Sequence, residues 1–259
     1  MIEPTLMTRI RNDLDTWEHP VTWMYLDSVG IVTVGCGTAL ESESAAADLP
    51  FVHSKTLGPA GRDDIIAAWR DLHAAAATQK SAVPKQKHAA RFYEAKSDLR
   101  ITLQTASDLR DAHVLADYAS LQRIYPDFDA FPEDAKLALF DMIYNLGAGR
   151  SGGRHRRATG LRQYGTMNAA ITRGDWTGAA STCLRRGIPA ERNAMTAALF
   201  RKCAMTDTRP RSAASAHPAA ASHTGHAHKA HRPHRSRAGH AIPHATQHPG
   251  LPNVRLPLP

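Results

Sequence analysis

The stretch WEHPVTWMYLDSVGIVTVGCG, Trp17 to Gly37, changes its hydrophobic period in the middle, and that change decides the fold. Upstream, Leu6, Ile10, Leu14 and Trp17 recur at spacings of four, four and three, which predicts a helix over Pro4 to Trp17 with one apolar stripe. His19-Pro20 stops it, because a proline disfavours helical geometry in the residue before it. Val21 to Tyr25 and Ile31 to Val34 are rich in β-branched and aromatic residues, the side chains that strands favour. Between them Ser28-Val29-Gly30 reads as a three-residue hairpin loop, with glycine where a left-handed residue is wanted. Gly35 and Gly37 close the second strand and permit close backbone approach.

Outward from the hairpin the chain turns helical. Arg62, Asp63 and Asp64 open a run carrying Ile65, Ile66, Trp69 and Leu72, with acidic groups suited to a helix's first turn. Residues 79–96 are rich in Lys and Ala and read either as a surface helix or as an extended excursion. One or two helices are expected over 101–124. Phe131-Pro132-Glu133-Asp134 is a helix start with Pro at the first helical position, and Gly147 is its stop. Further helices are expected near 160–172, 176–185 and 189–203.

The charge of the 259-residue chain is +8, unevenly spread. From Arg209 to Pro259 there are seven Lys or Arg, nine His and no acidic residue, which leaves 25 basic against 24 acidic side chains before it. That tail holds too little apolar surface to offset its ordering entropy, so it is expected to be disordered. It suits any of three roles: attraction to anionic envelope components, metal chelation through spaced imidazoles, or a passive extension. Without interleaved aromatics, any attraction to nucleic acid would be unspecific. Residues 149–157 form a second basic stretch, read as a solvated turn or as a contact for acidic wall polymers.

Cys36, Cys183 and Cys203 are odd in number and show no CxxC spacing, so they are expected to be small buried hydrophobes rather than disulfides or metal ligands. No metal site and no cofactor is expected. The N-terminus lacks a secretory h-region, and no run approaches the roughly 18 apolar residues of a membrane span. The expectation is a monomer made in the cytoplasm.

In the predicted hairpin Asp27 lies opposite Ile31, so Tyr25, Asp27, Ile31 and Thr33 share a face. Asp27 and Thr33 are then diagonal neighbours about 7 Å apart, within reach of a shared water. Glu18 arrives from the end of the preceding helix. Two carboxyls and a hydroxyl around one cleft suit glycoside hydrolysis, in which a protonated acid serves the departing oxygen and an ionised carboxylate positions water. Trp17 and Pro20 would give Glu18 apolar surroundings, which favour the protonated form. Spacing alone equally admits an acidic helix end and a turn aspartate.

A resemblance adds to this. Glu18, Tyr25, Asp27, Gly30, Thr33 and the Gly35-Cys36-Gly37 pattern are similar to the catalytic motif of the T-even type phage lysozymes, glycoside hydrolase family 24. Ala138 to Gly147 resembles that family's helix ending in Phe-Asn-Leu-Gly, Gly174-Asp175-Trp176 its small-residue turn, and Pro189 to Phe200 its last helix. The likeness spans about residues 3–205 and fades between about 40 and 100. His19 and Thr38 depart from the Gly and His common at their positions.

The resemblance implies an α+β, mainly helical, lysozyme-like two-lobed fold over 1–207. A small β-hairpin lobe (about 18–60), extra helices (about 60–100) and a helical lobe (about 101–207) would surround a cleft, with the tail from 208. It implies a muramidase acting on peptidoglycan, as a phage endolysin or bacterial lytic effector that reaches the wall through a holin-type pore or a secretion machine. Glu18 maps to the general acid, Asp27 to the water-positioning carboxylate and Thr33 to the hydroxyl beside it. An inverting mechanism would set the carboxyls roughly 6.5–9.5 Å apart. Arg192 maps to a basic residue that pairs with the acid. Asn145 would bind a substrate amide or cap its helix, and Tyr25 and Trp23 would stack on sugar or pack in the hairpin. The alternative is a non-catalytic peptidoglycan-binding or virion component that keeps the fold.

Overall fold

The computed structural model describes residues 1–81, 88–152 and 157–206, with side chains omitted for 78–81. The chain is mainly helical with a small antiparallel sheet. The expectations for the tail, and for residues 153–156 of the basic stretch, fall outside the described residues.

Helix α1 spans Pro4–Trp17. The Glu3 side chain accepts the Leu6 N–H at 3.1 Å, and Pro4 opens the helix where no donor is needed. Leu6, Ile10 and Leu14 are buried, as their spacing predicts. Glu18 is the C-cap and donates its backbone N–H to the Leu14 carbonyl at 2.8 Å.

Strands β1 (Val21–Leu26) and β2 (Val32–Gly35) pair antiparallel, with Tyr25 opposite Thr33 and Leu26 opposite Val32. A third strand, β3 (Thr38–Ala39), extends the sheet and was not legible beforehand. Met24, Leu26, Val32 and Val34 are buried, and the period of two places them on the face opposite Tyr25 and Thr33. Gly30 takes φ 82°, as the three-residue loop requires, and Gly35 takes φ 65°.

Then come α2 (Glu43–Ala47), β4 (Val52–His53), α3 (Arg62–Ser81), β5 (Leu99–Arg100) and α4 (Leu103–Ile124), with β4 and β5 forming a second two-stranded sheet. Of residues 79–96, the first three end α3, 82–87 lie outside the described residues, and Ala90–Lys96 is a 3₁₀ helix. Its Tyr93 is buried against the hairpin core, and the Ala90 carbonyl accepts the Trp23 indole N–H at 2.9 Å. Helices α5 (Glu133–Leu146), α6 (Gly165–Thr172), α7 (Trp176–Thr182) and α8 (Ala190–Thr206) complete the described residues. Pro132 is the N-cap of α5 rather than its first helical residue, and Gly147 closes that helix at φ 68°.

Two clusters of buried side chains result. One gathers α1, α5, α6, α7 and α8; the other gathers the hairpin, α2, α3 and β5. Helix α4 serves both, giving Val114 and Leu121 to the first and Ala106 to the second. Cys36, Cys183 and Cys203 are buried. Among the described residues no helix is long and apolar enough to cross a membrane.

Candidate functional site

Glu18 stands where α1 ends, so its side chain projects from a backbone already fixed by the Leu14 hydrogen bond. Arg192 Nη1 donates to Glu18 Oε1 at 2.6 Å. The Glu18 side chain remains 26% exposed while Arg192 is 5% exposed, so a ligand has access to the carboxyl and not to the guanidinium behind it. The Arg192 guanidinium lies over the Trp17 ring, 5.8 Å from its centroid. Trp17 therefore gives Glu18 a cation-bearing indole neighbour rather than a purely apolar one.

Asp27 is held by its own turn. Its Oδ1 accepts the N–H groups of Val29 at 2.9 Å and Ile31 at 2.8 Å, and its backbone N–H donates to the Ile31 carbonyl at 3.0 Å. Among the described residues its Oδ2 receives no hydrogen bond, which leaves that oxygen free to accept one. Thr33 is buried and donates its hydroxyl to the Ile31 carbonyl at 3.0 Å, so only its lone pairs remain available.

Tyr25 ties the two carboxyls to one neighbourhood. Burial raises its phenol well above the usual range, and the charges of Asp27 and Glu18 add to that. Glu18 also acts on the Cys36 thiol and the Tyr144 phenol, both pushed up chiefly by burial. Tyr144, from α5, donates its hydroxyl to the Cys36 carbonyl at 2.9 Å and so pins the turn between β2 and β3 to the helical cluster. An added Cβ on Gly35 would meet α4 at Ala106 and Leu109, both at 3.8 Å, so its positive φ is what demands glycine there.

Asn145 lies in the last turn of α5, half-buried, with no side-chain hydrogen bond among the described residues. Trp23 and Tyr25 both pack against the hairpin core, and Arg100 sits over the Trp23 ring at 5.4 Å. His19 is exposed.

The residues that sequence reading did not single out lie behind Arg192. Its Nε donates to Asp141 Oδ1 at 2.7 Å, while Asp141 Oδ2 accepts from Arg185 Nη2 at 2.5 Å and from the Thr196 hydroxyl at 2.6 Å. The available signal was Asp141 itself, an acid inside the apolar run Ala138 to Ile143. Such a residue is rarely buried unless paired. No protein-family model matches the chain, and no curated protein matches it.

Proposed function

We propose that the chain is a peptidoglycan hydrolase of the lysozyme type, a muramidase that cleaves the β-1,4 link between N-acetylmuramic acid and N-acetylglucosamine. What supports this reading is Glu18 at the end of α1, paired with the buried Arg192, and Asp27 in the adjoining hairpin turn with Oδ2 unengaged among the described residues, both carboxylate charges acting on Tyr25. The two buried clusters joined by α4 fit a lysozyme-like plan, with a small β-containing lobe and a helical lobe flanking a cleft.

In this mechanism Glu18 donates its proton to the departing glycosidic oxygen as the bond to the sugar breaks. Asp27 Oδ2 accepts a hydrogen bond from the attacking water, whose second proton turns toward the Thr33 oxygen. The water oxygen bonds to the sugar carbon, Asp27 takes up its proton, and Glu18 is left ionised beside Arg192. Arg192 steadies that ionised state and fixes the carboxyl for the next cycle.

One observation favours a second reading. An ion-paired carboxylate is a poor proton donor, and the 2.6 Å contact with Arg192 is compatible with a non-catalytic wall-binding component that keeps the fold. Mass spectrometry of digested peptidoglycan decides between them. Hydrolysis yields new reducing ends, transglycosylation yields anhydro ends one water lighter, and binding without either product leaves only the second reading.

A further inference from the structure

The charges behind Glu18 alternate. Glu18 pairs with Arg192, Arg192 with Asp141, and Asp141 with Arg185. Asp141 is 4% exposed and Arg185 is fully buried, so neither charge is relieved by solvent. Arg185 also donates to the Asp141 carbonyl at 3.0 Å, and Asn193 accepts the Arg185 backbone N–H at 3.1 Å, which fixes the guanidinium in place. Charges taken out of water are tolerated only when paired with good geometry, and here each anion meets its cation at hydrogen-bond distance.

The arithmetic of this chain bears on the proton of Glu18. With Glu18 ionised, two anions balance two cations. With Glu18 protonated, the cluster keeps one net positive charge. Without Asp141, two guanidinium groups would face the carboxyl unopposed and would favour its ionised form strongly.

Three groups on which the Glu18 charge acts are uncharged near neutral pH. Tyr25 from β1, Tyr144 from α5 and Cys36 from the β2–β3 turn are all held protonated by burial. The Asp27 charge also acts on Tyr25, and Arg110 and Asp15 act on Cys36 with opposite charges and are paired with each other. Among the described residues Arg192 is the charge in hydrogen-bond contact with Glu18, and Asp141 stands behind it with Asp13 of α1 as a further anion nearby.

We propose that Asp141 is a positioning residue for Glu18, acting through Arg192: it orients the guanidinium that fixes the carboxyl, and its charge keeps the protonated acid accessible. The proposal rests on reading Glu18 as the proton donor. A merely structural Asp141 would alter stability without altering the titration of Glu18.

The test is a carboxyl carbon-13 NMR titration of Glu18 in the full chain, with near-UV circular dichroism reporting the fold. Asp141→Asn is expected to lower the Glu18 midpoint by about one pH unit relative to wild type. Arg185→Met removes a cation and is expected to raise it by a similar amount. Asp141→Asn combined with Arg185→Met restores the net charge and returns the midpoint to near the wild-type value. The alkaline limb of the activity profile should follow these two shifts and their cancellation. A folded Asp141→Asn with an unmoved midpoint overturns the proposal, as does a double variant that fails to restore it. Should Asp141→Asn not fold, the upward shift in Arg185→Met decides alone. If wild type releases no reducing ends from peptidoglycan, the catalytic reading falls by itself, while the titration still reports the coupling.

Discussion

Arg192 reaches Glu18 from the far end of the folded chain, its Nη1 2.6 Å from Glu18 Oε1, with 174 positions of sequence between them. The last long helix thus supports a carboxyl that the first helix presents. Replacing the proposed proton donor while keeping the shape of this pair is the most direct test of the site. Glu18→Gln retains an acceptor for Arg192, so the fold should persist. General acid catalysis contributes about 10²–10⁴-fold, and turnover of a wall suspension should fall by at least that much. Full clearing of the suspension by a folded Glu18→Gln protein would remove Glu18 from the acid role.

Asp27 has two separable jobs. Its Oδ1 ties down the Val29 and Ile31 amides, and its free Oδ2 is the oxygen assigned to water. Asp27→Asn keeps an oxygen for the two amides and should melt near wild type while losing most activity. Asp27→Ala leaves both amides without their acceptor and should cost about 1–3 kcal/mol as well. Denaturant unfolding of the pair, set beside reducing-end release, separates the roles; equal stability in both variants would show that the turn does not depend on Oδ1.

Tyr144→Phe deletes one hydroxyl and strands the Cys36 carbonyl. An unsatisfied buried acceptor costs roughly 1–3 kcal/mol, and the loss should be local to the turn that joins β2 and β3. Hydrogen exchange at the Gly35, Cys36 and Gly37 amides should quicken more than exchange in α1. Uniform quickening across both would place the effect in the helical core instead.

Asp117 gives the fold a pH slope. Burial pushes its carboxyl up to about 8, and His113, 3.6 Å away, offsets that only when it carries a proton. An unfolded aspartate titrates near about 3.9. Between those values the folded chain holds a proton that the unfolded chain has released, so this group makes stability fall as pH rises from about 4 to about 8. Asp117→Asn removes that slope. Its urea midpoint should exceed wild type at about pH 8 and converge with it below about pH 4. A constant offset at every pH would mean that Asp117 is ionised in the native state.

Much of the small-sheet region was legible because its signals are local. The stripe of Leu6, Ile10 and Leu14 fixes α1, and Pro20 stops it within three residues of its end. Gly30 at φ 82° fixes the loop length and therefore the pairing of Tyr25 with Thr33. What escaped is non-local or short. Strands β4 and β5 are two residues each and pair His53 with Leu99, a register no local pattern encodes. The partners of Asp141 lie 44 and 51 positions away, so its presence in an apolar run announces a buried charge without naming what answers it. Pro132 misled by one position because its φ suits both an N-cap and a first helical turn. The fixed φ of proline cannot by itself tell the two apart.

The span of the Glu18–Arg192 contact bears on the order of events during synthesis. A ribosome emits Glu18 near the start and Arg192 near the close of the described chain, so a half-made polypeptide holds the carboxyl without the guanidinium that pairs with it. Translation itself then acts as a timer, and the pair closes only once α8 has emerged and docked.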